Sequence, residues 1–214
     1  MTEAIKENIE KNLYHDLFVQ ERITITYFTA SKNASLQIED EKTSIDSLNK
    51  CFPLLTNKIS EFYYDNFKGI LVAYLLEISI NYCGMYGNQS FSIITSNKEW
   101  VPILKKSVEK NLLTNYVLKN NLWKGTVTTN LQDLDLHDSK NFNFIAKKIE
   151  RENLNKFKSK LVILGCAGFQ GLIESLTSKF NNKVEFVDPI IINVRLLVFS
   201  NGVYAKIECS RINR

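Results

Sequence analysis

The stretch that decides the fold is Lys160–Gly171, which reads KLVILGCAGFQG. Its first part, Leu161–Leu164, is aliphatic throughout, as is typical of a parallel strand buried on both faces. A turn of small residues follows and carries Cys166. Apolar residues at helical spacing over Phe169–Phe180 then predict an amphipathic helix. The stretch therefore indicates a strand–turn–helix unit of an α/β protein, with a cysteine at the carboxyl end of the strand.

Two interpretations of Cys166 follow from its position. Ligands of open α/β sheets bind outside the carboxyl ends of the strands, and a helix N-terminus just after the cysteine would lower the pKa of its thiol. The small neighbours Gly165, Ala167 and Gly168 would let a substrate approach the backbone. A cysteine can equally be a small buried hydrophobe. The position alone leaves a chemical role and a packing role open.

Strand and helix patterns alternate along the rest of the chain. We predict strands over Ile23–Ala30, Lys68–Tyr74, Phe91–Thr95, Trp123–Thr129, Leu161–Leu164 and Val184–Asp188. We predict helices over Thr2–Phe18, Ser44–Tyr64, Leu75–Tyr86, Ser96–Leu113, Ser139–Phe157, Phe169–Phe180 and from Pro189 onward. Ser96 and Glu99 match a capping box at the start of one of these helices. The alternation predicts a parallel sheet with helices on both faces.

Composition limits the class of protein. The 214 residues suffice for one large or two small domains, and a hydrophobic fraction of 44% supports a core. The net charge of +4 comes from scattered lysines, which argues against a nucleic-acid-binding face. No apolar run is long enough to span a bilayer, and the first residues do not resemble a signal peptide. We therefore expect a cytoplasmic protein without membrane or nucleic-acid partners.

The candidate ligand residues do not form a metal motif. The cysteines are widely spaced, and neither histidine has a cluster of ligands near it in sequence; these residues are Cys51, Cys83, Cys166, Cys209, His15 and His137. The glycines around Cys166 also miss three familiar patterns. The turn has no Lys-Ser/Thr of a phosphate-binding loop, no GxGxxG spacing, and Leu164 where a hydrolase elbow needs glycine.

The segments Val162–Gly168 and Val184–Pro189 resemble the second half of the aspartate/glutamate/hydantoin racemase superfamily. The likeness is greatest to a fungal branch of hydantoin-racemase-like (allantoin/hydantoin racemase) proteins. Further stretches resemble that branch: Tyr27–Thr29, Cys51–Leu55, Ser79–Cys83, Phe91–Trp100, Asn121–Val127, Leu134–His137 and Arg151–Leu154.

This resemblance implies two pseudo-symmetric, Rossmann-like domains with parallel sheets that face each other across a cleft. One cysteine on each domain would act without a cofactor, one thiolate removing a proton next to a carbonyl and the opposed thiol returning one. Cys166 matches the second catalytic cysteine. Thr95 and Ser96 match hydroxyls that hold the substrate, and Ala167 and Gly168 would offer it backbone amides. The expected halves are residues 1–90 with 190–214, and residues 91–189.

The chain departs from the family in its first half. It begins at the family's first helix, without the preceding strand. After Ala73 it lacks a loop–helix–strand unit that carries the first catalytic cysteine. We therefore expect a truncated first domain, and we predict structural roles for the other three cysteines, Cys51, Cys83 and Cys209.

Three functions are consistent with these residues. The first is a cofactor-independent racemase or epimerase of amino-acid-derived, hydantoin or allantoin-type compounds. The second is a one-thiol enzyme that protonates the product of a decarboxylation. The third is an inactive protein that binds a small carboxylate or a partner subunit. We expect a small carboxylate, hydantoin or ureide as substrate, and homo-oligomers are consistent with the family.

Overall fold

The computed structural model describes residues 2–13, 42–43, 45–47, 49–50, 53, 75–86, 89–110 and 114–196. Its strands are β1 (Phe91–Thr95), β2 (Trp123–Thr128), β3 (Leu161–Leu164) and β4 (Glu185–Val187). Its helices are α1 (Thr2–Leu13), α2 (Leu75–Met85), α3 (Trp100–Lys110), α4 (Thr114–Lys119), α5 (Phe142–Lys148), α6 (Ile173–Lys179) and α7 (189–196). The predicted strands Ile23–Ala30 and Lys68–Tyr74, with Cys51 and Cys209, lie outside the described residues.

The four strands form one parallel sheet in the order β2-β1-β3-β4. Side chains of β1 and β3 alternate between two apolar clusters, one on each face. Ile94 and Val162 pack with α5 and α6, whereas Ile93 and Ile163 pack with α2 and α3. Both central strands are fully buried, which explains the unbroken aliphatic sequence of β3. In β1 the same burial also encloses Ser92 and Thr95. The predicted α/β class with a parallel sheet is confirmed.

The helix predicted over Ser139–Phe157 changes type along its length. It starts as a 3₁₀ turn, continues as α5, and ends as a π-helical segment over Ile149–Lys156. Within that segment the side-chain nitrogen of Asn153 donates to Ser92 Oγ at 2.7 Å, and both residues are fully buried. The contact ties the end of the helix to the central strand β1. Wide π turns often mark positions where a specific side chain must be placed.

The first helix packs against the last one. Ile9 of α1 contacts Ile191 of α7 in a small apolar cluster, and Asn8 Nδ2 donates to Asp188 Oδ2 at 3.0 Å. This contact joins the amino-terminal part of the chain to the residues after the sheet. The division into two halves stays a prediction. Among the described residues, no helix is both long and apolar enough to cross a membrane.

We predict that Ser92→Ala lowers the free energy of unfolding by about 1–3 kcal/mol, because it leaves the buried Asn153 amide without its partner. Urea denaturation of the purified chain would measure the loss. Ser90→Ala is the matched control, since the Ser90 hydroxyl bonds the Lys158 carbonyl at an exposed position. An equal loss in the two variants would contradict a special role for the buried contact.

Candidate functional site around Cys166

The end of β3 is packed too closely against β1 for any side chain at position 165. The Gly165 N–H donates to the Ile94 carbonyl at 2.8 Å, so the chain is still bonded to β1 at this point. A β-carbon on Gly165 would lie 2.7 Å from Ile93 Cγ2 and 3.2 Å from the Ile94 oxygen. The chain leaves the sheet after this glycine. Cys166 therefore lies two residues beyond the carboxyl end of β3, close to the strand end as the sequence predicted.

A short 3₁₀ turn, Ala167–Phe169, follows Cys166. The Gly168 N–H donates to the Cys166 sulfur at 3.2 Å, so this amide is directed at the thiol. The α-helix begins only at Ile173, after Gly171 has reversed the backbone at a φ of +81°. The prediction that an α-helix begins at Phe169 is therefore wrong at its start, and the thiol caps a single turn.

The partner of the thiol is Asp133, which the sequence analysis did not identify. The Cys166 thiol donates to Asp133 Oδ1 at 3.2 Å, and Asp133 is only 7% exposed. Asp133 lies in the loop after β2, just before a 3₁₀ turn at Asp135–His137. Gly168 permits this approach, because a β-carbon there would lie 2.6 Å from the Asp133 carbonyl oxygen. The second glycine of the turn thus has a packing role.

Burial and the nearby Asp133 carboxylate raise the pKa of the Cys166 thiol to about 12. The Gly168 N–H and the Ser96 side chain lower the pKa of this thiol, but together they do not offset the increase. The expected lowering of the thiol pKa is wrong, since no long helix begins next to the sulfur and a negative charge faces it. At neutral pH Cys166 is a protonated hydrogen-bond donor.

Thr95 and Ser96 lie at the end of β1, beside the Cys166 turn. Both are fully buried, and neither the Thr95 nor the Ser96 hydroxyl makes a hydrogen bond to any described residue. Ser96 does not cap the following helix: the side chain of Asn97 accepts the Glu99 N–H at 3.0 Å instead. The capping-box prediction is wrong, because the Ser96 hydroxyl is buried at the end of β1 and bonds no N–H group of the helix.

A largely apolar cavity of about 120 Å³ opens next to Cys166. Cys166 and Ala167 contribute to its wall, whereas Thr95, Ser96 and Gly168 lie outside the lining. Leucines from α2 and α3 form much of the rest, and Gln170 and Asp188 are its other polar residues. The sequence-predicted site residues are thus neighbours, but only two of them face the cavity.

Asp188 holds several groups in the wall of this cavity through hydrogen bonds to its carboxylate. Its Oδ1 accepts the backbone N–H groups of Ile190 at 2.8 Å and Ile191 at 3.3 Å, which caps α7. Its Oδ2 accepts from Gln170 Nε2 at 2.9 Å, in addition to the bond from Asn8. Neither Asp188 nor Gln170 was predicted as a site residue. The pair Asp188-Pro189 was an available signal for the cap, since aspartate favours the N-cap and proline the next position.

Cys83 lies apart from the site, and His15, Cys51 and Cys209 lie outside the described residues. Cys83, the other free cysteine in the described ranges, is fully buried in α2, where burial raises its pKa. It belongs to the apolar cluster on the other face of the sheet from the one that Cys166 contacts. Within the described residues no three histidine, cysteine, aspartate or glutamate side chains are grouped as metal ligands.

We predict that Asp133→Asn speeds the alkylation of Cys166 severalfold or more at about pH 9, near the ordinary pKa of a thiol. Removing the negative charge lowers the pKa of the thiol, so more reactive thiolate is present at the same pH. The rate is measured with iodoacetamide by mass spectrometry of the peptide that contains Cys166. Asp135→Asn is the control, because Asp135 is exposed on the same loop. An unchanged rate in Asp133→Asn would contradict this account of the thiol.

No family model matches the chain. It is 43% identical over 225 residues to Protein DCG1 of Saccharomyces cerevisiae, an alignment that covers 92% of this chain and 90% of that protein. The fold is similar to the crystal structure of allantoin racemase AllR from Pseudomonas fluorescens, with a TM-score of 0.69, 15% identity, and coverage of 95% and 88% of the two chains. It is also similar to allantoin racemase from Klebsiella pneumoniae, with a TM-score of 0.65, 17% identity, and coverage of 94% and 84%. The chain belongs to the family of yeast Protein DCG1, whose α/β fold here is the fold of the allantoin racemases.

Proposed function

We propose that this protein is a racemase or epimerase of hydantoin or allantoin-type compounds, in which Cys166 transfers the proton. The single observation that carries the proposal is the position of the thiol. It lies at the carboxyl end of a central strand, between a buried carboxylate and a small apolar cavity. The similarity in fold to two allantoin racemases supports the choice of substrate class.

The chemistry proceeds through a hydrogen on a carbon next to a carbonyl. Asp133 can take the Cys166 proton along their 3.2 Å hydrogen bond, which leaves a thiolate beside the cavity. The thiolate removes the substrate proton, and the electron pair of the C–H bond moves into the carbonyl as an enolate. The thiol can then return a proton to that carbon. Inversion requires that a second group deliver the proton to the opposite face.

The remaining site residues have proposed roles in binding. The Ala167 N–H would donate to a substrate carbonyl or carboxylate oxygen, where it would stabilise the developing negative charge. Gly168 would act on the thiol directly, through its N–H group and by leaving room for Asp133. The Thr95 and Ser96 hydroxyls, which have no hydrogen-bond partner among the described residues, lie at the end of β1 outside the cavity lining. No step in this scheme requires a cofactor.

The proposal is tested with one enantiomer of a 5-substituted hydantoin, and of allantoin, in deuterated buffer. Proton NMR follows exchange of the hydrogen at the stereocentre, and polarimetry follows loss of rotation. We expect both to exceed the rates without protein, and we expect Cys166→Ala to reduce them by about 10²–10⁴-fold, the range for a positioned acid–base group.

Cys83→Ala is the matched control for this variant, because it removes the same atoms from a cysteine on the other face of the sheet. It is expected to retain exchange. If the wild-type chain gives neither exchange nor loss of rotation with these compounds, the racemase proposal is wrong. Exchange without inversion would show that protons are added and removed on one face only.

A one-face reaction is the second candidate function. It is favoured by two observations: the Cys166 thiol donates a hydrogen bond to Asp133, and Cys83 lies in a different cluster. In this reaction an α-substituted malonate would lose carbon dioxide, and Cys166 would protonate the resulting enediolate. Incubation with such a malonate in deuterated buffer should release carbon dioxide and give product deuterated on one face. Unchanged turnover in Cys166→Ala would exclude this candidate.

A further inference from the structure

The amide of Gln170 has a fixed orientation in the wall of the cavity. Its nitrogen donates to Asp188 Oδ2 at 2.9 Å. A carboxylate only accepts hydrogen bonds when it is ionised, and four donors contact this one: the Asn8 and Gln170 amides and the two backbone N–H groups at the start of α7. The Gln170 nitrogen therefore has to face Asp188, and the amide oxygen has to face the other way.

The amide oxygen of Gln170 is buried and makes no hydrogen bond to any described residue. The whole residue is only 8% exposed, yet it belongs to the lining of the cavity that Cys166 also lines. Buried polar atoms in native proteins are nearly always satisfied, so an acceptor held in this way is expected to have a partner. The walls around it are mainly aliphatic, and they offer few alternatives.

We propose that Gln170 is a specificity-determining residue, whose side-chain oxygen accepts an N–H group of the ligand bound beside Cys166. The ligand is then a compound with an amide, imide or ureido N–H. A cavity of about 120 Å³ is comparable with the cavity of roughly 150 Å³ that holds one benzene ring, so a single small ring fits. The inference rests on the proposed function for the identity of the site, but it concerns binding and needs no turnover.

Asp188 determines whether the site prefers a ligand that donates a hydrogen bond or one that accepts it. An asparagine at position 188 would keep the cap, because its oxygen can accept the same backbone N–H groups. Its nitrogen, however, would donate to the Gln170 oxygen, and the Gln170 amide would turn to present its N–H₂ group to the cavity. The preference of the site would change from N–H donors to acceptors without any change in the shape of the side chains.

The test uses hydantoin and 1,3-dimethylhydantoin, which share one ring but differ in the N–H groups. Neither has a stereocentre, so binding is measured apart from racemisation, by calorimetry and by the rise in melting temperature. We expect the wild-type chain to bind hydantoin about tenfold more tightly than the dimethyl compound, in line with one hydrogen bond. The two monomethyl isomers would identify which N–H is bound.

Gln170→Met keeps the length of the side chain and removes the amide, and it should bring the ratio of the two affinities close to one. Gln132→Met is the matched control, because Gln132 is exposed and does not belong to the cavity lining; it should keep the wild-type ratio. Asp188→Asn should abolish or reverse the preference. This variant also supplies an answer if Gln170→Met fails to fold.

Several results would overturn the inference: no binding of hydantoin, equal affinity of the wild-type chain for the two compounds, or an unchanged ratio in Gln170→Met. Equal affinity is also what is expected if an ordered water is the partner of the amide oxygen in the complex. Discrimination by the wild-type chain without exchange or racemisation would leave the inference intact and overturn the proposed function, so the two failures are distinguishable.

Discussion

The candidate site depends on the close packing of Gly165 against β1. The contact lets β3 stay hydrogen-bonded to its neighbour up to its last residue, because no β-carbon separates the strands at this edge. The following residue must then leave the sheet. The position of Cys166 is thus a consequence of packing between two central strands.

Gly168 has the same kind of packing role, on the opposite side of the Cys166 sulfur from Gly165. Without a side chain at Gly168, the backbone at Asp133 comes close enough for its carboxylate to accept the thiol hydrogen bond. The two glycines therefore fix Cys166 from the strand side and from the loop side. A turn of small residues, which suggests room for a substrate when it is read from sequence, is here filled largely by the protein's own atoms.

How much could be predicted from sequence depends on the range of the interactions. The bounds of β1 and β3 match the prediction, because each is a short, mainly apolar run whose burial follows from its own residues. Asp133 was missed because it is 33 positions from Cys166 and reaches it from a loop without periodicity. The lowered thiol pKa was wrong because burial raises the pKa of Cys166 and the Asp133 charge from that loop raises it further. The orientation of Gln170 likewise depends on Asp188 and cannot be read from local sequence.

The two carboxylates of the site differ in what their surroundings allow them to do. Asp188 accepts hydrogen bonds from four donors, namely two backbone N–H groups at the start of α7 and two amide side chains. Its carboxylate therefore has a structural role. Asp133 contacts a thiol, whose proton can move. The pKa of about 12 describes loss of the Cys166 proton to solvent, which would leave two negative charges side by side. Transfer of that proton to Asp133 keeps a single negative charge in the pair, so the burial that opposes the first process opposes the second far less. The pKa for loss of the proton to solvent therefore does not measure transfer within the pair, whose main cost is the ordinary difference in acidity between a thiol and a carboxyl group.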